Sequence, residues 1–504
     1  MSPRPSFAVA AGHRLTAEAA AETLHAGGNV VDAAIAAALV ACVAGPALAS
    51  LLGGGFLMLR EPTGRVGLLD FFVQTPRRKI AAGEVDLRAV EADFGGARQV
   101  FHIGAGAIAA PGVPRGLAQA HREFGLIPFK ELAAPAAKLA REGAALTAFQ
   151  ADVLAIIAPI VAASPAGLAL FGDGTAPLKA GALYRNPELA DVIETFGREG
   201  DRFCHEGEVA AALLSLDGGH LSALDLRRYQ AKWREPLEET RGRARIFLNP
   251  PPALGGVLIA FALRLIERGD GPDSIARALE ATARARLEAN IDTAPADGAE
   301  RLLAPDLVAR YARELKGRRA SLKGTTHISV IDRRGMGAAL TLSNGSGCGL
   351  IAPGTGMMPN NMLGEEDLAG KHLNEWPLDT RLSSMMAPLT LERPDGGFAM
   401  MGSGGSNRIR SALTQVAAHV LDRGARLEDA VAAPRLHVET WPEADFEDRL
   451  REDERAALVA AFPEARAWAE ESMFFGGVHA AARDSKGGLE AAGDQRRDGF
   501  AIIG

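Results

Sequence analysis

The chain has 504 residues, with 55 Lys and Arg against 62 Asp and Glu, a formal net charge of −7, 47% apolar residues and 3 cysteines. That apolar content excludes a disordered chain, and so few cysteines exclude a disulfide-built one. The length predicts either several domains or one large layered body with an extensive core. The acidic balance argues against a nucleic-acid partner, because neutralising phosphates takes clustered Lys and Arg, and the most basic stretch, 227–245, is diluted by its own glutamates.

The N-terminal segment MSPRPSFAVAAGHRLT contains no apolar stretch of the secretory kind, so a cytoplasmic location is expected. Thr16 then caps a helix over 16–44 that Gly27, Gly28 and Asn29 interrupt with a turn. The run 30–59 is apolar enough to suggest a membrane span, but Asp32, Pro46 and Gly53 to Gly55 cut it into pieces too short to cross as one helix. It reads as a buried helix and a glycine-rich turn into a strand, and no membrane partner is expected.

FLML at 56–59 and VGLLDFF at 66–72 read as paired strands. Alanine-rich amphipathic helices dominate 111–195, and 224–229 continues them. At 246–267 a strand passes through a Pro/Gly turn, which denies helix at its start, into a long apolar helix. A polar helical stretch runs on to 319. Residues 325–344 alternate in two runs separated by RRGMG, a hairpin pattern, and 398–421 is a strand, a Gly/Ser turn and a helix. Another strand and turn follow at 477–499. The order predicts an α+β fold, helices outside a mainly antiparallel sheet set. Cys42, Cys204 and Cys348 are far apart and lack CxxC or Cys/His ligand spacing, so neither a disulfide framework nor a metal site is predicted, and a reducing compartment fits.

Three features carry candidate chemistry. Gly324-Thr325-Thr326-His327 stands directly before an alternating strand; by itself it also reads as ordinary strand composition with a hydrogen-bonded His327. The turn GSGGSN at 402–407 offers backbone N–H groups to an anion, or is simply a tight turn needing glycine. Ser383 and Ser384 lie in TRLSSMMAPL, which reads alone as a capped turn.

Taken in order and with their spacing, these segments resemble the γ-glutamyltranspeptidase family over nearly the whole chain. AEAAAETLHAGGNVVDAAIAAALV with GGGFLML is similar to the family's N-terminal signature, and APGVPRGL, LSALDLRRYQAKWREPL and PPPALGGV to its later blocks. GTTHISVID, PGTGMMPNNML, RLSSMMAPL, GSGGSNRI and GDQRRDG follow in the family's order. The resemblance implies the four-layer αββα sandwich of N-terminal-nucleophile (Ntn) hydrolases. It implies a proenzyme that cuts itself at Gly324–Thr325, into a large segment 1–324 and a small segment 325–504 that together form one folded unit. The implied activity is an amide hydrolase or acyltransferase acting on a small γ-glutamyl or related amide or peptide, glutathione-like, with water or an amine as acceptor and no cofactor or metal.

The physical logic suits the residues. A threonine hydroxyl at its ordinary pKa needs a base within reach. Self-cleavage frees an α-amino group whose reference pKa, about 7.7–8.0, lies near working pH, so Thr325 would be nucleophile and base carrier at once. By resemblance, Gly404 and Gly405 supply the N–H donors for the tetrahedral intermediate, and the family's second hydroxyl residue falls on Ser343. Thr341 and Ser343 share one strand face, so either is placed to support the new amino terminus.

The departures concern the substrate. Where the family places an arginine that reads the γ-glutamyl α-carboxylate, LDFFVQTPRR has Phe72, which cannot form the bidentate pair. Arg77 or Arg78 stays open as a substitute from the turn, with Trp376 then closing the site. The polar residue after the paired asparagines is Met362 here, while Glu365 matches the following acidic position, Asn344 a family asparagine, and Ser383 and Ser384 the serine pair. The amide-cleaving half is expected intact and the glutamate-reading half altered. The alternative, from another class, is a catalytically silent, unprocessed homologue that binds a small acid or amide.

Overall fold

The computed structural model describes residues 5–93, 98–292, 294–312, 325–365 and 375–504. Gly324, the leaving side of the expected cleavage, lies outside them, as does the end of the helical stretch expected to reach 319.

Two antiparallel sheets are stacked at the centre. The first has seven strands in the order Phe500–Ile503, Phe7–Ala11, Thr326–Asp332, Gly337–Ser343, Gly54–Arg60, Val66–Phe71 and Lys232–Arg234. The second has six: Leu489–Gly493, Gly477–Arg483, Phe398–Gly404, Leu389–Glu392, Ala244–Leu248 and Leu237–Arg241. The strand that begins at Thr326 is therefore interior. It pairs on one side with Phe7–Ala11, from far upstream, and on the other with its own hairpin partner.

The period-two patterns explain the layers. In the first sheet, Leu57, Leu59, Leu69, Ile328, Val330 and Leu340 face one way and pack under the helices Arg14–His25 and Val30–Ala44. Met58, Leu68, Ile331 and Ala339 face the other way and meet Met400, Met401 and Val478 of the second sheet. The helix Arg408–Asp422 packs Leu413 and Val416 into that same cluster, which completes helix, sheet, sheet and helix.

The apolar run at 30–59 is the buried helix and strand expected of it. Every residue of Val30–Ala44 is buried, and Asn29 caps the helix by accepting from Val31 N and Asp32 N while Asp32 accepts from Asn29 N at 3.0 Å. Among the described residues no helix is long and apolar enough to cross a membrane. The expected cap at Thr16 is corrected: His13 caps the first helix through its ring nitrogen, 3.1 Å from Leu15 N, and Thr16 lies buried within the first turn. Cys42, Cys204 and Cys348 are free and buried. A small sheet of Leu436–His437, Glu443–Glu447 and Glu464–Trp468 escaped sequence reading, because its strands are short and two of them are broken up by charged residues.

Candidate active site

The strand Thr326–Asp332 begins with Thr326 opposite Leu342, so continuing the register by one residue sets Thr325 opposite Ser343. Ser343 is opposite Gly54, and by the same continuation Gly54 is opposite Phe72. Opposed residues share a face, so Thr325, Ser343, Gly54 and Phe72 form one row facing the space between the sheets. Gly54 is required there: a Cβ on it would lie 3.0 Å from Phe72 Cδ2 and 2.7 Å from Val73 N. The Phe72 ring occupies that space and stacks on Phe56 at 5.5 Å between centroids.

The adjacent row holds His327 and Thr341. His327 is fully buried, with Nδ1 2.8 Å from Thr341 Oγ1 and Nε2 2.9 Å from Ser329 Oγ, whose hydroxyl donates to His479 O at 3.1 Å. Since Ser329 spends its proton on that carbonyl, His327 donates from Nε2 and accepts from Thr341 at Nδ1. His327 is thus a satisfied core histidine. Thr341 is committed to it, which leaves Ser343 as the hydroxyl beside Thr325; Ser343 Oγ also accepts from Gly345 N at 3.0 Å.

Burial, the largest cause in each case, holds His327 far below the usual histidine pKa and His205 and His479 at about 4. The unfolded chain binds protons on these rings near the ordinary 6.5 and the folded chain does not. Their stabilising contribution is therefore present above pH 6.5 and lost as pH falls toward 4. His205 and His479 are each expected to cost about 2 kcal/mol at pH 5. A melting temperature that stays level from pH 7 to pH 5 would refute this account of the buried histidines.

Opposite the row, the strand Phe398–Gly404 turns at Gly405 (φ +122°) and Ser406 (φ +53°) into the helix Arg408–Asp422. A Cβ on Gly404 would lie 2.2 Å from Thr325 O, so the turn touches the backbone of Thr325 and only glycine fits. Gly404→Ala is expected to lower turnover by at least about 10²-fold, the usual loss when a hydrogen-bond donor at a developing oxyanion is misplaced. Steady-state rates like those of the wild type in that variant would remove the turn from the site.

The far end of the row carries an apolar side chain, Phe72, beside Leu382, whose N donates to Val73 O at 3.1 Å. Phe72, Met362, Trp376, Leu382 and Met386 belong to one buried cluster. Trp376 is buried, edge-on to His220 at 5.2 Å with the Lys79 ammonium 4.5 Å from its ring centroid. The two arginines left open by the sequence do not fill the gap. Arg77 pairs with Asp379 at 2.5 Å and its backbone N donates to Asp225 at 2.7 Å, while Arg78 is exposed. An arginine that the sequence reading missed does come close: buried Arg381 donates to Phe72 O, Tyr229 Oη and Gln230 O and lies 3.5 Å from Asp70. Its guanidinium is turned to the backbone behind Phe72. Asp70, also paired with Arg234 at 2.7 Å, accepts from Phe72 N at 2.9 Å and fixes the strand end.

The remaining expected residues cluster around this row. Glu365 is buried, and a Cβ on Gly345 (φ +65°) would lie 2.6 Å from its Oε1, so that glycine admits the carboxylate beside the Ser343 end. Asn344 Nδ2 donates to Met358 O at 3.1 Å. Ser383 and Ser384 follow Leu382, whose N donates to Val73 O at 3.1 Å, beside the Phe72 end. Ser384 O accepts from Leu254 N and Gly255 N at 2.8 and 3.1 Å, which explains PPPALGGV: a Cβ on Gly255 would lie 2.2 Å from Met385 O. Asn360, unremarked beyond its motif, accepts from Ala109 N and donates to Leu52 O and Ala109 O, tying the Met362 turn to the first sheet.

The family model described as Gamma-glutamyltranspeptidase matches residues 16–504. The chain belongs to this family. An acylase ACY 1 proenzyme of Pseudomonas sp. (strain V22) is 28% identical to this gamma-glutamyltranspeptidase-family chain over 98% of the chain and 93% of the relative. A glutathione hydrolase proenzyme of Pseudomonas aeruginosa is 28% identical over 98% and 94%. The solved structure of a cephalosporin acylase from Bacillus halodurans superposes with a TM-score of 0.83, at 21% identity, over 99% of this chain and 96% of that one. That likeness establishes the Ntn-hydrolase fold, in agreement with the four layers described above.

Proposed function

We propose that this family member, an amide hydrolase and acyltransferase of the Ntn type, works through Thr325 after cleavage at Gly324–Thr325. The observation that carries the reading is the row Thr325, Ser343, Gly54 and Phe72 with Gly404 closed against Thr325 O. The Thr325 hydroxyl adds to the substrate carbonyl carbon while its proton passes to the free α-amino group. The negative charge on the carbonyl oxygen is met by N–H groups of Gly404 and Gly405. Collapse breaks the C–N bond, the leaving amine takes the proton back, and an ester on Thr325 remains. Water or an amine then receives the acyl group by the same route. Ser343 orients the new amino terminus.

The substrate is a small amide or peptide, and its acyl group is not read as glutamate. An acylase and a glutathione hydrolase are equally similar to the chain, so identity does not choose the donor. Phe72 and Met362 argue for the acylase side. A site built to pair a carboxylate selects for it strongly, whereas an apolar wall leaves the charge desolvated and unpaired.

The test is intact mass under denaturing conditions. Cleavage should give segments of 324 and 504 − 324 = 180 residues that copurify, because the strand after Thr325 is interior to the first sheet. An uncut chain, or a light segment starting elsewhere, would overturn the reading.

A further inference from the structure

Three glycines on two neighbouring strands and a turn make room for one arginine. Gly477 pairs with Gly404, and a Cβ on Gly477 would lie 2.7 Å from Arg497 Cβ and 2.8 Å from its Cδ. The arginine stem therefore lies across that glycine. Cβ atoms on Gly404 and Gly405 would lie 3.2 Å from Arg497 Nη1 and 3.1 Å from Nη2, so the guanidinium ends against the turn. The same position on Gly404 is 2.2 Å from Thr325 O, which puts Nη1 and that carbonyl oxygen no farther apart than the two distances added together. Nε and Nη2 both donate to Met473 O, at 3.3 and 3.1 Å. Nη1, on the Thr325 side, donates to none of the described residues.

The charge held there is not balanced nearby. Arg497 is buried, and burial, opposed by Asp494 and reinforced by Arg408, pushes its pKa down to about 10, still charged at neutral pH. Asp494 already pairs with Arg435 at 2.6 Å and Arg496 at 3.1 Å, and Arg496 also holds Glu447 at 2.6 Å. Arg410 pairs with Glu439 at 3.4 Å, and Arg408 also acts on that carboxylate. The one carboxylate acting on Arg497 among the described residues, Asp494, is therefore shared with two other buried guanidinium groups, Arg435 and Arg496. Burying a cation short of a counter-charge is costly, and a stack of glycines that seats one is a structural commitment.

We infer that Arg497 is a positioning residue for the amide reaction: it holds positive charge under the Gly404–Gly405 turn and beside Thr325. The inference rests on the Thr325 reading. Two effects follow from one charge. Negative charge growing on the substrate oxygen at the turn is stabilised by a cation that needs no reorganisation. An ammonium on Thr325 is destabilised by the same cation, so the amino group stays a free base at lower pH. A second cation, Arg408, also packs against the turn, its Cβ 3.5 Å from a Cβ on Gly405, but its guanidinium is turned onto the Phe474 ring at 4.4 Å; the remaining titratable groups facing this point do not replace Arg497. His327 and His479 are held neutral by burial, Asp494 is shared among arginines, and Glu365 lies beyond Ser343.

The experiment uses the processed wild type and Arg497→Met, Arg497→Lys and Phe149→Glu, assayed on whichever acyl anilide the wild type turns over, as pH profiles of kcat/KM. Phe149→Glu leaves the arginine packed and sets a carboxylate against its charge, since the Phe149 ring centroid is 5.9 Å from the guanidinium carbon. Arg497→Met should lower kcat by about 10- to 100-fold with KM within about threefold, and move the ascending limb up by about one pH unit. Phe149→Glu should move the limb the same way, and Arg497→Lys should restore both limb and rate to within about fivefold of wild type. A limb unmoved in a folded Arg497→Met or Phe149→Glu protein overturns the inference. So does misfolding of both, which would assign Arg497 to the framework. An uncut wild type, or an active Thr325→Ala, would instead defeat the Thr325 reading.

Discussion

Thr325→Ala is expected to leave the chain at full length and to lower turnover by at least about 10⁴-fold, because in the proposed mechanism one hydroxyl serves both the cleavage and the acyl transfer. The control is its neighbour. Thr326 follows Thr325 in the strand and so points to the opposite face, and a Cβ on Gly12 would lie 3.1 Å from its Oγ1. Thr326→Ala should therefore process normally and keep activity within about tenfold, losing only a packing contact. Denaturing electrophoresis and a rate on one anilide separate the two variants. Equal loss in both would mean that the register, and with it the nucleophile, has been misplaced.

Phe72→Arg is the second large expected effect. The guanidinium would start from the Cα that now carries the ring, on the face shared with Thr325. Asp70, the buried acid nearest the strand end, is already engaged by Arg234 and Arg381, so the new cation would be left for the substrate carboxylate. The ratio of kcat/KM for a γ-glutamyl anilide to that for an apolar acyl anilide should rise by about 10²-fold, short of the roughly 10⁴- to 10⁵-fold of a site built throughout to pair the polar group. Phe72→Leu should keep the original preference, which controls for loss of the Phe56 stacking. An unchanged ratio would show that Phe72 does not line the acyl pocket. Wild-type turnover of glutathione with a sub-millimolar KM, inside the ordinary range of about 1 μM to 1 mM, would sink the altered specificity altogether.

What was legible in the chain was what short-range patterning encodes. The hairpin 326–343 was readable because its apolar residues alternate on both faces of a buried sheet, and Val30–Ala44 because Asp32 and the glycines around it forbid a span and supply a cap. The glycines at 54, 255 and 404 were visible as motif letters, but each is needed for a contact with a distant segment: Phe72, Met385 O and Thr325 O. Sequence alone left Arg77 and Arg78 as candidates for the missing charge, since a side chain's reach cannot be judged without its competitors. Asp379 and Asp225, both far along the chain, hold Arg77 away.

The family and the fold class were thus determined by sequence, because the motifs and their order along the chain are local or collinear properties. Which hydroxyl stands by Thr325, which arginine lies under the turn, and that Phe72 shares the row of Thr325 were decided only by tertiary structure. Those facts depend on strand register and sheet stacking, where one residue of slip reverses every side chain's face.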